Sequence, residues 1–295
     1  MNSREQNIKN GAIGLAIALA VVIIGIMCIG IYSVVSIFTP ADDDAVSDKT
    51  VLKQYLGQTP EVIIIDNSVG QLTIETGEYF QISGNNVLKD FSCKFENGTL
   101  TINNTYNKKA HISGNKSSLT ITVPDGTDLK RLKITTGAGN CIIKEISAEK
   151  SEIETGAGNA TITNFKTDAI TLDAGAGNIE FISSSLANMT LNCGVGNLDI
   201  KSSDISGKCK IECGVGNFIL TDCNLTGEWD AECGVGEFKL DLNGALEDYE
   251  INIDSSVGKI KLNGKTHTKI DNLNKGAKNK LEIDGGIGEI AINID

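Results

Sequence analysis

The chain has few histidines, prolines and aromatic residues. Its 295 residues include two histidines, three prolines and one tryptophan, and aromatic residues make up 5% of the total. His111 and His267 are too far apart in sequence to mark a metal-ligand spacing or an acid–base pair. With so few large rings, the interior has to be built from aliphatic and small side chains.

Positive charge is also scarce. The formal net charge is −12 at pH 7, and no long basic stretch with interleaved aromatic residues is present. Such a chain repels phosphate backbones, so nucleic acid is excluded as an expected partner.

The eight cysteines contain no Cys-x-x-Cys pair, and Cys28 lies inside an apolar run. Neither a disulfide framework nor a zinc site is indicated by this spacing. No metal or other cofactor is expected.

One apolar run dominates the N-terminal region. Residues 11–38 contain no charged side chain, and a bilayer core needs only about 20 helical residues. A secretory signal has a shorter apolar region of about 7–15 residues, and no small-x-small cleavage site follows. The run therefore predicts a single, uncleaved transmembrane helix, with residues 1–10 as a cytoplasmic tail and 39–60 as a juxtamembrane linker.

The orientation of this predicted helix rests on weaker signals. Arg4 and Lys9 precede the run, whereas Lys49 and Lys53 follow it, so the positive-inside bias is small. We expect the N-terminus inside and the C-terminal domain outside the cell membrane.

Glycine-punctuated segments recur through the second half of the chain. They are TGAGNCII (136–143), TGAGNATI (155–162), AGAGNIEF (174–181), CGVGNLDI (193–200), CGVGNFIL (213–220), CGVGEFKL (233–240), SSVGKIKL (255–262) and GGIGEIAI (285–292). The second glycines are spaced by 19, 19, 19, 20, 20, 22 and 30 residues, and NSVGQLTI (67–74) is a degenerate copy. A fixed period of this length indicates a repeat architecture.

Residues after each glycine turn alternate with a period of two, which is typical of a strand with one buried face. Ile143, Ile162, Phe181 and Ile200 are predicted to point inward and to share one buried column. Successive units would then lie on top of one another about 4.8 Å apart. Residues 61–295 are therefore predicted to be all-β, a single-stranded parallel β-helix (β-solenoid), right-handed by the general crossover preference.

Preceding each turn, a second strand is predicted. Its inward pairs include Cys209 with Ile211, and Trp229 with Ala231 at the same two places. A large residue beside a small one indicates that the two positions exchange volume inside a packed core. The alternative interpretation, in which Trp229 is a platform for stacking a sugar, is less favoured. Residues 75–118 show no clean repeat.

Two repeat positions predict structural ladders. One asparagine follows the second glycine in five units: Asn140, Asn159, Asn178, Asn197 and Asn217. Stacked side-chain amides can hydrogen-bond from coil to coil, and calcium binding is disfavoured because its nonapeptide frame is absent.

The position before the first glycine is held by Cys193, Cys213 and Cys233 in three units, and every occupant of this position is small. We expect free thiols there because the Cβ vectors of stacked residues are parallel. Free thiols also suit a reducing compartment.

Lysines cluster near the C-terminus. Seven fall within residues 259–280, among them Lys265, Lys269, Lys275 and Lys278. This segment is a candidate contact for an anionic wall polymer or lipid head group. The favoured alternative is that the lysines solvate an insertion and protect the exposed last coil from edge pairing.

The segment LTITVPDGTDLKRLKITTGAGNCII (119–143) resembles the bacterial putative-adhesin family, which is a domain of unknown function. The matching features are a strand ending at Val123-Pro124-Asp125-Gly126, a second strand from Leu129 to Ile134, and glycine-punctuated strands after it. The resemblance covers about residues 61–295. It implies a β-solenoid on exported or membrane-anchored proteins, with attachment at the cell surface, and it carries no motif of functional residues.

Three function classes follow. The leading one is a non-catalytic surface-interaction module that binds a cell-envelope polymer, a surface protein or another cell. The second is an envelope-sensing protein whose tail and helix contact a membrane regulator. The third is a polysaccharide lyase or hydrolase, and it is disfavoured because no aromatic groove is visible and outward acids such as Glu180 and Asp199 are isolated.

Overall fold

The computed structural model describes residues 50–105 and 117–295, and all of them fall in one compact unit. The predicted tail at 1–10, the predicted helix at 11–38 and residues 39–49 of the predicted linker lie outside the described residues. Among the described residues, no helix has the length and apolarity needed to cross a bilayer. The described domain is all-β, with one short 3-10 helix at Leu246–Asp248.

The strands fall into three groups along the chain. The first group is β1 (Val51–Tyr55), β2 (Val62–Val69), β3 (Gln71–Gly77), β4 (Phe80–Asn85), β5 (Ser92–Glu96), β6 (Thr99–Asn104) and β7 (Ser118–Pro124). The second is β8 (Asp128–Ala138), β9 (Cys141–Lys144), β10 (Ser147–Ala157), β11 (Ala160–Thr163), β12 (Lys166–Ala176), β13 (Ile179–Ile182), β14 (Ser185–Ala187), β15 (Met189–Val195), β16 (Leu198–Lys201), β17 (Asp204–Val215), β18 (Phe218–Val235) and β19 (Phe238–Leu242). The third is β20 (Tyr249–Leu262), β21 (Lys265–His267), β22 (Ile270–Leu273) and β23 (Asn279–Ile294).

The second group forms a parallel stack in register. Ile162 on β11 pairs with Ile143 on β9 and with Phe181 on β13, which in turn pairs with Ile200 on β16. None of these four side chains is exposed to solvent. The predicted buried column is confirmed, and the domain is a solenoid-like stack of coils.

The core also shows the predicted exchange of volume between coils. Cys209 pairs with Trp229 and Ile211 pairs with Ala231 across the ladder from β17 to β18. All four are buried, and Trp229 packs against Phe218 with ring centroids 6.3 Å apart. The tryptophan is therefore a core residue.

Close stacking of the glycine turns explains why glycine recurs there. Gly216 has φ +144°, and a Cβ built on it would lie 1.7 Å from the carbonyl oxygen of Gly196 in the preceding coil. Only a residue without a side chain fits both the backbone conformation and the contact. The turns stack backbone on backbone along the domain.

At the C-terminal end, the prediction that units stack in chain order is wrong. Strand β23 pairs with β18 and β19 on one side and with β20 on the other. The unit at 285–292 thus lies between the units at 233–240 and 255–262. The terminal coil is β20, and the short strands β21 and β22 pair with it antiparallel and cover its edge.

The N-terminal end is built in the same way. Strands β2 and β3 pair with β8 and β9 on one side and with β6 and β7 on the other. Antiparallel β5 and β4 then pair with β6 and β7, and β1 pairs with β4. The irregular spacing in residues 75–118 reflects this reversal of chain order and the antiparallel strands that cap the stack.

Candidate functional site

A groove runs along the corner where the strands enter the glycine turns, with a volume of about 1130 Å³. Three repeat positions line it, and each contributes one residue from successive coils. The position two residues before the first glycine of each unit forms the first column, which consists of Thr135, Glu154, Asp173, Asn192, Glu212, Glu232 and Asp284. The position directly before that glycine forms the second column, which consists of Thr136, Thr155, Ala174, Cys193, Cys213, Cys233 and Gly285. The first glycines themselves, Gly156, Gly175, Gly194, Gly214, Gly234 and Gly286, form the third column, with Ser256 at the equivalent place in β20.

The groove exists because two of these columns have little or no side chain. A Cβ on Gly214 would lie 2.5 Å from the carbonyl oxygen of Gly194, so successive turns sit too close for any larger residue. The small residues beside them, such as Ala174 and Cys213, are buried or half-buried. The surface is therefore indented along these columns, and it rises at the polar column.

Acidic side chains make up most of the polar column. Glu212 pairs in register with Glu232, and Glu232 pairs with Asp284 on β23. Asp284 is followed by Asp254 on β20, and all four are exposed. In-register parallel pairing sets neighbouring Cα atoms about 4.8 Å apart, so the carboxylates form one continuous wall of negative charge.

Lysines neutralise only part of this wall. Lys210 Nζ lies 2.7 Å from Glu212 Oε1, Lys133 Nζ lies 3.9 Å from Glu154 Oε1, and Lys269 Nζ lies 3.2 Å from Asp254 Oδ2. Within the described part of the chain, Glu232 and Asp284 take part in no ion pair. These two carboxylates contact no lysine of the described chain directly, although their negative charges help to raise the pKa values of Lys210 and Lys269 nearby, after the larger effects of Glu212 and Asp254.

Burial and negative charge both act on one carboxyl at the N-terminal end of the same column. Thr135 on β8 is in register with Asp66 on β2 on one side and with Glu154 on β10 on the other, so the two acids are two coils apart. Partial burial, and then the negative charge of Glu154, raise the pKa of the Asp66 carboxyl above its usual range.

Three thiols stand beside the carboxylates on adjacent coils. Cys193, Cys213 and Cys233 pair in register across β15, β17 and β18, and all seven described cysteines are free. A hydrogen bond donated by the Cys213 thiol lowers the pKa of Cys193. That same bond, followed by burial, raises the pKa of Cys213.

The asparagine positions form a ladder between side chain and backbone. Asn159 Oδ1 accepts a hydrogen bond of 3.1 Å from the Asn178 backbone N–H, and Asn178 Oδ1 accepts one of 3.2 Å from Asn197. The series continues through Asn217, whose Oδ1 accepts from the Glu237 N–H at 3.0 Å. Asn140 holds the same place one coil earlier. The donors in the ladder are backbone amides of the next coil, whereas amide-to-amide bonds were expected.

The C-terminal lysines lie on the covered end of the stack. Lys269 pairs with Asp254, and Lys278 Nζ lies 3.6 Å from Asp248 Oδ1. Lys265 on β21 and Lys275 are exposed. All four lysines are exposed, and two of them have an acidic partner within 4 Å.

Sequence reasoning missed the acidic column. A separate pair of acids outside the groove, Glu180 and Asp199, is in register on β13 and β16, so the expectation that these acids are isolated is wrong. Acids recur in the sequence two residues before the first glycine of most units, but they form one column only when the coils are in register. Among residues 50–105 and 117–295, no group of three or more His, Cys, Asp and Glu side chains is arranged to hold a metal ion.

One protein family and several solved structures are similar to this chain. A family model described as Toastrack DUF4097 matches residues 61–293. No curated protein matches the chain.

Several solved structures are similar at low identity. A "putative adhesin" of Bacteroides fragilis is 18% identical, with 84% of this chain and 98% of that chain covered and a TM-score of 0.41. A "putative cell adhesion protein" of Clostridium sporogenes is 16% identical, with coverages of 84% and 100% and a TM-score of 0.34. A "putative lipid binding protein" of Parabacteroides distasonis is 16% identical, with coverages of 85% and 98% and a TM-score of 0.41.

Proposed function

Because this chain belongs to the Toastrack DUF4097 family, we propose that residues 61–295 form a non-catalytic surface-interaction module. In this proposal the helix at 11–38 anchors the module in the cell membrane, with the domain on the extracytoplasmic side. The partner is an envelope polymer or a protein that lies along the stack of coils.

The observation that carries the proposal is the groove with its acidic wall. Carboxylates occupy five of the seven coils that line it, and among the described residues Glu232 and Asp284 form no ion pair with a lysine. A regular line of like charges attracts an extended partner with positive charges at a similar spacing, and the attraction weakens as salt is added. A cationic segment of a protein, or a polymer bearing amines, has this chemistry.

The lysine surface is the second candidate contact, for an anionic polymer. Lys265 and Lys275 supply it, because Lys269 and Lys278 already face Asp254 and Asp248. The two surfaces carry opposite charge, so binding of charged probes separates them.

The test uses the full-length protein in detergent with a decalysine and a decaglutamate peptide as probes. The groove variant E212Q/E232Q/D284N removes three charges from the acidic column. The matched control E180Q/D199N/D241N removes three charges from strands β13, β16 and β19, outside the groove. We expect decalysine to bind the wild type at low salt, and the groove variant to bind about tenfold more weakly or worse while the control changes little.

Three results would contradict the proposal. The first is that the wild type does not bind decalysine, and the second is that both variants lose decalysine affinity equally. The third is that the wild type prefers decaglutamate and that the K265Q/K275Q variant no longer binds it. The third would move the contact to the lysine surface. Release of fragments from acidic polysaccharides by the protein would instead establish an enzyme.

The location on the cell is tested separately. Protease treatment of intact cells should release the domain while residues 1–10 stay protected. A domain that is cut only after lysis would contradict the extracytoplasmic placement.

A further inference from the structure

The thiols of Cys193, Cys213 and Cys233 stand on three consecutive coils at one edge of the groove. The strand register pairs Cys193 with Cys213 and Cys213 with Cys233. Cys193 is half-buried, while Cys213 and Cys233 are 8% and 6% exposed. All three border the open groove, so a small ion in the groove can reach them.

Parallel register disfavours disulfides between these thiols. A disulfide needs Cβ atoms about 3.5–4.5 Å apart, with a sulfur–sulfur bond of about 2.05 Å and side chains that turn toward each other. Neighbouring residues of a parallel ladder instead send their Cβ atoms the same way, about 4.8 Å apart. The thiols therefore stand side by side as free thiols, without a disulfide.

The same spacing suits a metal ion held between two sulfurs. With metal–thiolate bonds of about 2.3 Å, a linear two-coordinate ion separates its two sulfurs by about 4.6 Å, close to one step of the stack. Thiolates select soft ions such as Cu(I). A linear site needs only two ligands, so it is compatible with the absence of a three-ligand cluster among the described residues.

The surroundings of these three thiols favour the entry of a cation more than those of the other cysteines that the structure describes. Glu212 and Glu232 precede Cys213 and Cys233 directly and raise the local concentration of cations. By contrast, Cys141 lies inside the core, where burial raises its pKa to about 12.

We propose that this thiol ladder binds a soft, two-coordinate metal ion of the Cu(I) and Ag(I) class between Cys213 and one of its neighbours. Each thiol that binds as a thiolate gives its proton to solvent, and no electron is transferred. The proposal is independent of the charged partner assigned to the groove.

The geometry makes the middle cysteine indispensable. Cys193 and Cys233 are two steps apart, about 9.6 Å, so one ion cannot span them once Cys213 is gone. Loss of either outer cysteine leaves one adjacent pair intact. Threonine and alanine occupy this position in two earlier coils, at Thr155 and Ala174, so Cys213→Thr and Cys213→Ala suit the fold.

The experiment titrates the reduced full-length protein in detergent with Ag(I), anaerobically, and counts retained silver per chain after removal of free ion. Alkylation and mass spectrometry then report which cysteines the ion protects. Cys223→Ser is the matched control, because Ser203 and Ser184 hold the same place in the two preceding coils. Circular dichroism checks that each variant is folded.

We expect the wild type and Cys223→Ser to retain one ion that protects Cys213. Cys213→Thr, Cys213→Ala and the double variant C193T/C233T should lose it, and C193T or C233T alone should keep it. Equal retention in the Cys213 variants, loss in Cys223→Ser, or protection confined to other cysteines would overturn the proposal.

Discussion

At the scale of single residues, the second glycine of each turn decides whether the coils can stack. The recurrence of glycine was visible in the sequence and located the turns. The reason was not visible, because the tight contact of Gly216 with the Gly196 carbonyl exists only once two coils are in register. Sequence therefore predicted the turn, and the structure supplied its energetic basis.

Replacing Gly216 by alanine should destabilise the domain by more than about 3 kcal/mol, because the new Cβ meets a backbone oxygen and the φ of +144° is strained. Gly276→Ala is the control. Its φ is +89°, and its Cβ would meet nothing within 4 Å, so it should cost only about 1–2 kcal/mol. Urea unfolding of the two variants measures the difference, and similar midpoints would argue against the tight turn-on-turn contact.

At the scale of single strands, alternation in the sequence predicted which side chains are buried. Ile143 on β9 is fully buried, and its neighbour Ile142 is half-buried on the outer face. This assignment needed only a period of two and one aliphatic column. The antiparallel strands β4, β5, β21 and β22 were not predicted, because their partners lie across turns that break the repeat.

The two isoleucines offer a matched pair for testing the strand assignment. Ile143→Ala should lower the free energy of unfolding by about 2–5 kcal/mol, since it leaves a cavity in the core. Ile142→Ala should cost less than about 1 kcal/mol. Chemical denaturation compares the variants, and equal losses, or a larger loss at Ile142, would reverse the assignment of faces.

At the scale of the whole domain, the order of coils departs from the order of the chain at both ends. The spacing of 30 residues before the last unit marked an insertion, but spacing alone does not say on which side of β20 the returning chain lies. Pairing of Trp229 with Leu281 and of Ile251 with Leu281 places β23 in between. The acidic column escaped sequence reasoning for a related reason, because a surface column becomes visible only when all coils are in register.

The order of coils can be tested by two deletions. Removing residues 279–295 should detach β20 from the stack, since β23 is its only parallel partner among the described strands, and residues 243–273 should become sensitive to protease. Replacing residues 245–278 by a short Gly/Ser linker should leave a folded stack, because β23 keeps its parallel partners β18 and β19.

Limited proteolysis with mass spectrometry follows both variants. Continued protection of 249–262 after the first deletion would mean that β20 packs on β18, as chain order suggests. Unfolding of the whole domain after the second deletion would equally oppose the observed order.

The core, the groove and the thiol ladder all depend on coils that stack in register. A crystal structure of the full-length protein is the most direct measurement. It should show Ile143, Ile162, Phe181 and Ile200 in one buried column, with Glu212, Glu232 and Asp284 along one groove. A structure that places these carboxylates on different faces, or shifts the coils by one residue, would contradict this arrangement.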